Sequence, residues 1–415
     1  MEFLGQHAIG KFLQDDALKL SSDAKKAKKN DPEVIDGTLG AFYYDDGTFC
    51  THKIVKEVFN KLGDQDIYSY STVDGGKDFQ NAAFNHMFRA YRSYIEQTMA
   101  IKCIATPGGT GALVSSCFST LDPGQTLLVP TPCWGPYFGI AKHRNINTET
   151  FFMFDNDKFN IKEFKEKANK IIEKQNKLVF FLNDPCNNPT GYTMTDDEML
   201  ELIEYLNDTK VPCVLIYDCA YMDMAAEGIK KTREKLKHFT KANENVIICL
   251  CLSYSKTYFI YGQRLGAQII IGKDKKAVED LYNAGCYLAR NTWSNCNHGM
   301  ISLVTTVDKD INLRLALDEE LSVVWKSLKA RSEIFLKEAK EVGLYTYPYS
   351  GGFFVSIPCK NNKFICDMLK QDYKVYLLPV SGVVRVAICS LNEKDCYGLA
   401  KKIKDTMDRY ENFEI

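Results

Sequence analysis

The chain has 415 residues, more than one ordinary hydrophobic core accommodates, so two domains are expected. It is 45% hydrophobic and 25% charged, which is ordinary for a soluble globular protein. A net charge of -1 argues against a nucleic-acid partner, which would call for a basic excess or stripe.

Residues 1–16 include acidic side chains and no apolar core of signal-peptide length. No run reaches membrane-spanning length, so a cytoplasmic protein with no membrane partner is expected. The lysines of residues 25–29 alternate with alanine and read as a solvated helix end. There are 15 cysteines and no C-x-x-C pair. Several, such as Cys213, Cys249 and Cys251, lie inside apolar runs, as buried thiols in a reducing compartment would. No His/Cys spacing supports a metal site, and none is expected.

The first fifty residues show no strand–helix alternation and are expected to pack on a small domain. A helical pattern covers residues 79–99, and another 196–207. Short apolar runs at 126–129, 178–182, 214–217, 246–252 and 267–271 read as buried strands. Their alternation with helices predicts an α/β domain with a mostly parallel sheet, which binds ligands beyond the C-terminal strand ends. From about residue 308 the pattern changes. A long helix at 312–342 bridges to strand-like 352–357, a helix at 364–371, strand-like 384–389 and a final helix. The expected division is a large domain, 51–307, and a smaller α+β domain from 1–50 and 308–415.

Several motifs fall at those strand ends. Gly109 and Thr110 precede an apolar helical pattern, where backbone N–H groups and the helix dipole favour an anion. A plain turn with a threonine cap would look the same. Trp134 follows a strand and either stacks on a flat ring or fills core. Asn188, in Asn187-Asn188-Pro189-Thr190-Gly191, is either a ligand contact or part of a structural turn. Asp218 ends a buried strand, where a carboxylate is costly without a cation such as a protonated pyridine nitrogen. It could instead cap the next helix. Lys256, in Ser253-Tyr254-Ser255-Lys256, lies between two core strands, with two hydroxyls and Arg264 close by in sequence. Hydroxyls and arginine hold phosphate, and an inward amine beside a held phosphate suggests pyridoxal phosphate on a lysine Schiff base. A loop lysine beside an ion-paired arginine is the plainer alternative.

Order and spacing together resemble a class I aminotransferase, a fold-type I pyridoxal-phosphate enzyme, over residues 40–385. The resemblance implies that Lys256 forms the Schiff base and Asp218 pairs with the pyridine nitrogen. Asn188 and Tyr221 would contact the ring hydroxyl, and Trp134 would stack on the ring. Gly109, Thr110, Ser253, Ser255 and Arg264 would form the phosphate cup. Arg385 and Gly40 would receive the substrate α-carboxylate, a two-point contact that suits a planar guanidinium. Tyr70 is similar to the tyrosine that reaches the neighbouring subunit's phosphate. Arg290 resembles the arginine that reads a distal carboxylate across the dimer interface. The aspartate/aromatic subgroup is nearest, and a homodimer with shared active sites is implied.

Three departures stand out. Gly108 replaces a usual serine, which would remove one phosphate donor. Cys296-Asn297 replaces a usual Pro-Pro, which would loosen the loop after Arg290. Asn183-Asp184-Pro185 resembles other class I subgroups. The implied activity is amine transfer from aspartate or an aromatic amino acid to a 2-oxo acid such as 2-oxoglutarate. A β-lyase or another reaction on the same cofactor would use the same binding residues.

Overall fold

The computed structural model describes residues 3–13 and 16–410; residues 1, 2, 14 and 15 of the N-terminal stretch, and 411–415, lie outside the described residues. Thirteen strands occur among the described residues: β1 (Ile35–Gly37), β2 (Ala100–Thr106), β3 (Thr126–Thr131), β4 (Asn147–Phe152), β5 (Phe154–Asp155), β6 (Lys158–Phe159), β7 (Leu178–Asn183), β8 (Cys213–Asp218), β9 (Val246–Ser253), β10 (Gly266–Gly272), β11 (Phe354–Pro358), β12 (Val375–Val380) and β13 (Val383–Ala387).

Seven of them form the main sheet, in the order β2-β10-β9-β8-β7-β3-β4. All are parallel except β10, which runs antiparallel to both neighbours. The continuous apolar runs follow from burial on both faces. Along β9, Ile248, Leu250 and Leu252 enter one core, whereas Ile247, Cys249 and Cys251 enter the core on the opposite face. A one-turn helix, Tyr254–Thr257, and the loop of residues 258–265 separate β9 from β10. That connection lacks the crossover helix of a parallel βαβ unit, so the chain turns back on itself. The antiparallel return had no counterpart among the sequence expectations.

The second sheet has the order β1-β12-β13-β11. β1 pairs in parallel with β12, so the N-terminal region contributes a strand to it. The helix Asp16–Asn30 packs beside that strand and carries Lys28 and Lys29 in its last turn. The lysines of residues 25–29 do close a helix, as expected, whereas the strand in the first fifty residues was not revealed by the sequence pattern. A 31-residue helix, Ile311–Glu341, spans the molecule, with Asp310 capping its first turn. The helical pattern at 79–99 is broken into Gly76–Phe88 and Arg92–Thr98. Arg89 adopts a left-handed φ of 48° at the break, and its guanidinium makes a two-point contact with Asp318 at 2.8 and 3.0 Å.

All fifteen cysteines are free thiols, and all but Cys286 and Cys359 are buried. Among the described residues no group of His, Cys, Asp or Glu could hold a metal ion, and no helix is long and apolar enough to cross a membrane.

Candidate active site

The parallel strands end on one edge of the main sheet, and the site is assembled there. A cavity of about 180 Å³ is lined by Gly109, Thr110, Trp134, Asn188, Asp218, Tyr221, Ser253, Ser255, Lys256 and Arg264. It opens into a larger cleft that also reaches Gly40 and Arg385. Ten sequence-predicted residues thus share one cavity, and two more face its mouth. Tyr70 and Arg290 line neither space of their own chain. Tyr70 is 90% exposed, and Arg290 bonds locally to Ser294 Oγ at 2.7 Å.

Lys256 stands on the one-turn helix after β9. Its Nζ donates to the Gly40 carbonyl at 3.0 Å and lies 4.6 Å from the centre of the Tyr261 ring. Burial pushes its pKa down to about 8; Arg264 and Arg385 add to that, against Cys389 and Asp218. A side chain at Gly40 would come within 2.7 Å of the Phe354 ring, so the backbone there is free to approach the amine.

Asp218 ends β8 and is buried. Burial pushes its carboxyl up, against hydrogen bonds from Tyr137 and the Ala220 N–H. The Tyr137 hydroxyl donates to Asp218 Oδ2 at 2.7 Å. Tyr137 has no signature of its own in the sequence; its place three residues after Trp134 is the only hint. Trp134 meets it edge-on, with ring centres 5.5 Å apart. Tyr221 is buried and packs edge-on against Phe353 and Phe354.

At the other end, the helix Gly108–Thr120 points its N-terminus at the cavity wall formed by Ser253, Ser255 and Arg264. Gly108 has φ +71°, and a Cβ there would come within 2.5 Å of Arg264 Nη2. The absent serine is therefore not merely a lost donor: the arginine occupies its space. Arg264 donates to Ser255 Oγ at 3.2 Å and to the Tyr261 carbonyl at 3.0 Å.

Arg385 lies on β13, buried, with its guanidinium 4.1 Å from the centre of the Phe354 ring. It donates to Asn188 Oδ1 at 3.2 Å and to the Thr38 carbonyl at 2.6 Å. Its Nε is buried with no hydrogen-bond partner. Burial pushes the guanidinium down to about 10, which leaves it cationic at neutral pH.

Where the loop after Arg290 lacks the proline pair, side-chain hydrogen bonds tie it. Asn297 caps the helix His298–Lys309 by accepting from the Met300 N–H at 3.2 Å, and it donates to Gln263 at 3.1 Å. The Cys296 carbonyl accepts from Ser71 Oγ at 3.1 Å.

An anionic group fits this cavity. A helix N-terminus, two hydroxyls and an unpaired arginine face one end, and a buried carboxylate without a cation faces the other. A phosphorylated ring with a basic nitrogen would satisfy both ends, and Lys256 stands between them. Sheet order, strand-end placement and donor set together define a fold-type I pyridoxal-phosphate enzyme.

The chain belongs to the class I and II aminotransferase family, whose model matches residues 32–403. Its structure is similar to that of an aminotransferase from Anaerococcus prevotii DSM 20548, with a TM-score of 0.93 and 29% identity over 100% of both chains. An aspartate aminotransferase of Salmonella typhi is 23% identical over 78% of this chain and 79% of its own length. An aromatic-amino-acid aminotransferase from Burkholderia pseudomallei, covalently bound to pyridoxal phosphate, superimposes with a TM-score of 0.81 at 19% identity, over 97% of this chain and 100% of its own. The protein is an aminotransferase, and pyridoxal phosphate is the cofactor of its family.

Proposed function

We propose that this enzyme moves the amino group of an L-amino acid, aspartate or an aromatic one, to a 2-oxo acid such as 2-oxoglutarate, with Lys256 at the reacting centre. The observation that carries the reading is the half-buried Lys256, its amine pushed down to about 8, which shares one cavity with Asp218 and one cleft with the buried Arg385. When bound, the cofactor supplies a carbonyl for the amine and a ring that takes up electrons from the substrate Cα. Asp218 holds a proton on the ring nitrogen. Asn188 and Tyr221 orient the ring from one side, and Trp134 covers it. Gly109, Thr110, Ser253, Ser255 and Arg264 bind the phosphate. Arg385 holds the substrate α-carboxylate, using the guanidinium edge that Thr38 and Asn188 leave free, beside the Gly40 backbone. Lys256 Nζ would take the Cα proton as a general base and, as the ammonium, give it up as a general acid to the cofactor carbon that bears the amine. Tyr261 and Phe354 form aromatic walls of the cleft.

The proposed assembly is a homodimer with shared sites. Exposed Tyr70 would reach the partner's phosphate cup, and Arg290 the distal carboxylate of a substrate bound to the partner. The free thiols suit a reducing compartment such as the cytoplasm. A β-lyase would share the same binding residues, but only a transaminase needs an acceptor.

Arg290→Ala tests substrate class and assembly together. Loss of a desolvated carboxylate contact costs about 2–5 kcal/mol, so dicarboxylate turnover should fall far more than turnover of aromatic donors. Mixing Arg290→Ala subunits with inactive Lys256→Ala subunits should restore one native dicarboxylate site per hybrid dimer. Equal losses for both substrate classes, or no recovery on mixing, would argue against the assignment.

A further inference from the structure

Lys256 stands on a four-residue helix, too short to be stable through its own backbone hydrogen bonds. It must be fixed from behind. The next residue, Thr257, is buried and held at two atoms. Its Oγ1 donates to Asp223 Oδ2 at 2.5 Å, and its carbonyl oxygen lies 3.2 Å from His52 Nε2. The other nitrogen of His52 lies 3.2 Å from Glu320 on the long helix.

Asp223 is the hub of this arrangement. Its side chain is completely buried, as is that of Arg233, which pairs with it. His86 Nε2 lies 3.0 Å from the same carboxylate. Burial pushes the Asp223 carboxyl up, but Arg233, His86 and Arg89 outweigh it and hold it well below the usual carboxylate range. Asp223 lies two residues beyond Tyr221, in the tight turn where the Met222 N–H bonds to the Cys219 carbonyl at 3.1 Å and the Met224 N–H to the Tyr221 carbonyl at 2.8 Å. One carboxylate thus joins the segment that carries Asp218 and Tyr221 to the helix that carries Lys256. None of Asp223, Arg233, His86 or Thr257 lines the cavity.

A buried ion pair serving stability alone would be complete with Arg233 and His86. The third contact, from the neighbour of Lys256, points to a different purpose. We propose that Asp223 is a positioning residue that acts through the Thr257 hydroxyl to hold the Lys256 amine at a fixed place relative to Tyr221 and Asp218. The inference rests on the reading of Lys256 as the cofactor-bearing lysine.

Asp223→Asn would strand Arg233 without a counter-charge, so the test uses Thr257. Thr257→Val keeps the shape and removes the donor; Thr257→Ser keeps the donor. Two quantities are read: kcat against donor KM in the holoenzyme, and the pKa of the Lys256 amine in cofactor-free protein, by competitive acylation and peptide mass spectrometry. Misplacement of a reacting group typically costs about 10- to 100-fold in rate, so Thr257→Val should lose that much in kcat with KM within about twofold. With its helix loosened the amine reaches water, away from Arg264 and Arg385, so its pKa should rise toward that of an ordinary lysine. Thr257→Ser should restore both. Wild-type values in Thr257→Val, or equal impairment of both variants, would overturn the proposal. Retention of turnover and cofactor absorbance in Lys256→Ala would instead overturn the reading of Lys256, and the amine pKa comparison separates the two failures.

Discussion

Lys256, Arg264 and Arg385 gather three cations around one cavity, and their protein partners are carbonyls, hydroxyls, an amide and aromatic faces rather than carboxylates. Arg385 is buried and Lys256 half-buried, and cations left this way are costly until anions arrive, which is what a phosphate and a substrate carboxylate supply. The cost has a pH signature in the cofactor-free protein. The folded state holds Lys256 near 8, against an ordinary 10.5, so the unfolded state binds more protons between those values. Lys256's own contribution to stability should therefore rise by about 3 kcal/mol as pH climbs from about 8 to 10.5, while the buried thiols, whose pKa burial raises, pull stability the other way over the upper part of that range. The thiols are common to both proteins, so the urea-unfolding stability of wild type relative to Lys256→Met should rise by that amount across the interval; a difference that stays constant with pH would contradict the shift in Lys256. Lys256 itself was legible because a charge between two apolar runs has few plain explanations. Tyr137 and Asp223 were not, because their partners, Asp218 and Thr257, are 81 and 34 positions away in the chain. Gly108 looked like a loss because the volume of Arg264 beside it cannot be read from spacing.

At the scale of elements, the long helix Ile311–Glu341 ties the N-terminal region to the second sheet through Arg331. That guanidinium is buried, donates to the Tyr43 carbonyl at 2.9 Å, Asp45 at 2.8 Å and the Cys389 carbonyl at 3.3 Å, and lies over the Phe42 ring. It thereby holds the chain just after Gly40. Arg331→Met should leave the half-buried Tyr43 carbonyl without its donor, whereas the Cys389 carbonyl keeps the Tyr43 N–H, and should cost about 1–3 kcal/mol, read as a lower urea midpoint; an unmoved midpoint would show that the backbone relaxes to new partners. The inner strands β7, β8 and β9 were plain in the sequence because both faces are buried and the apolar run is unbroken. The edge strand β4, Asn147–Phe152, is mostly polar and half exposed, so no periodicity marks it. β1 is three residues long and is held by its pairing with β12, not by its own pattern. The helix break at Arg89 reflects a tertiary contact with Asp318, which local propensity does not contain.

For the molecule as a whole, the family follows from a topology that brings distant strand ends to one edge, and from a model match over residues 32–403. The proposal for chemistry makes a single demand on the intact protein: an amino group must leave a donor and appear on an acceptor, through Lys256. The direct measurement is a donor screen on purified holoenzyme with 2-oxoglutarate, reading glutamate and cofactor absorbance together, beside Lys256→Ala. The account predicts glutamate formation with aspartate or an aromatic donor, and none in the variant. Release of pyruvate and ammonia without an acceptor, or glutamate formation that survives the loss of Lys256, would contradict it.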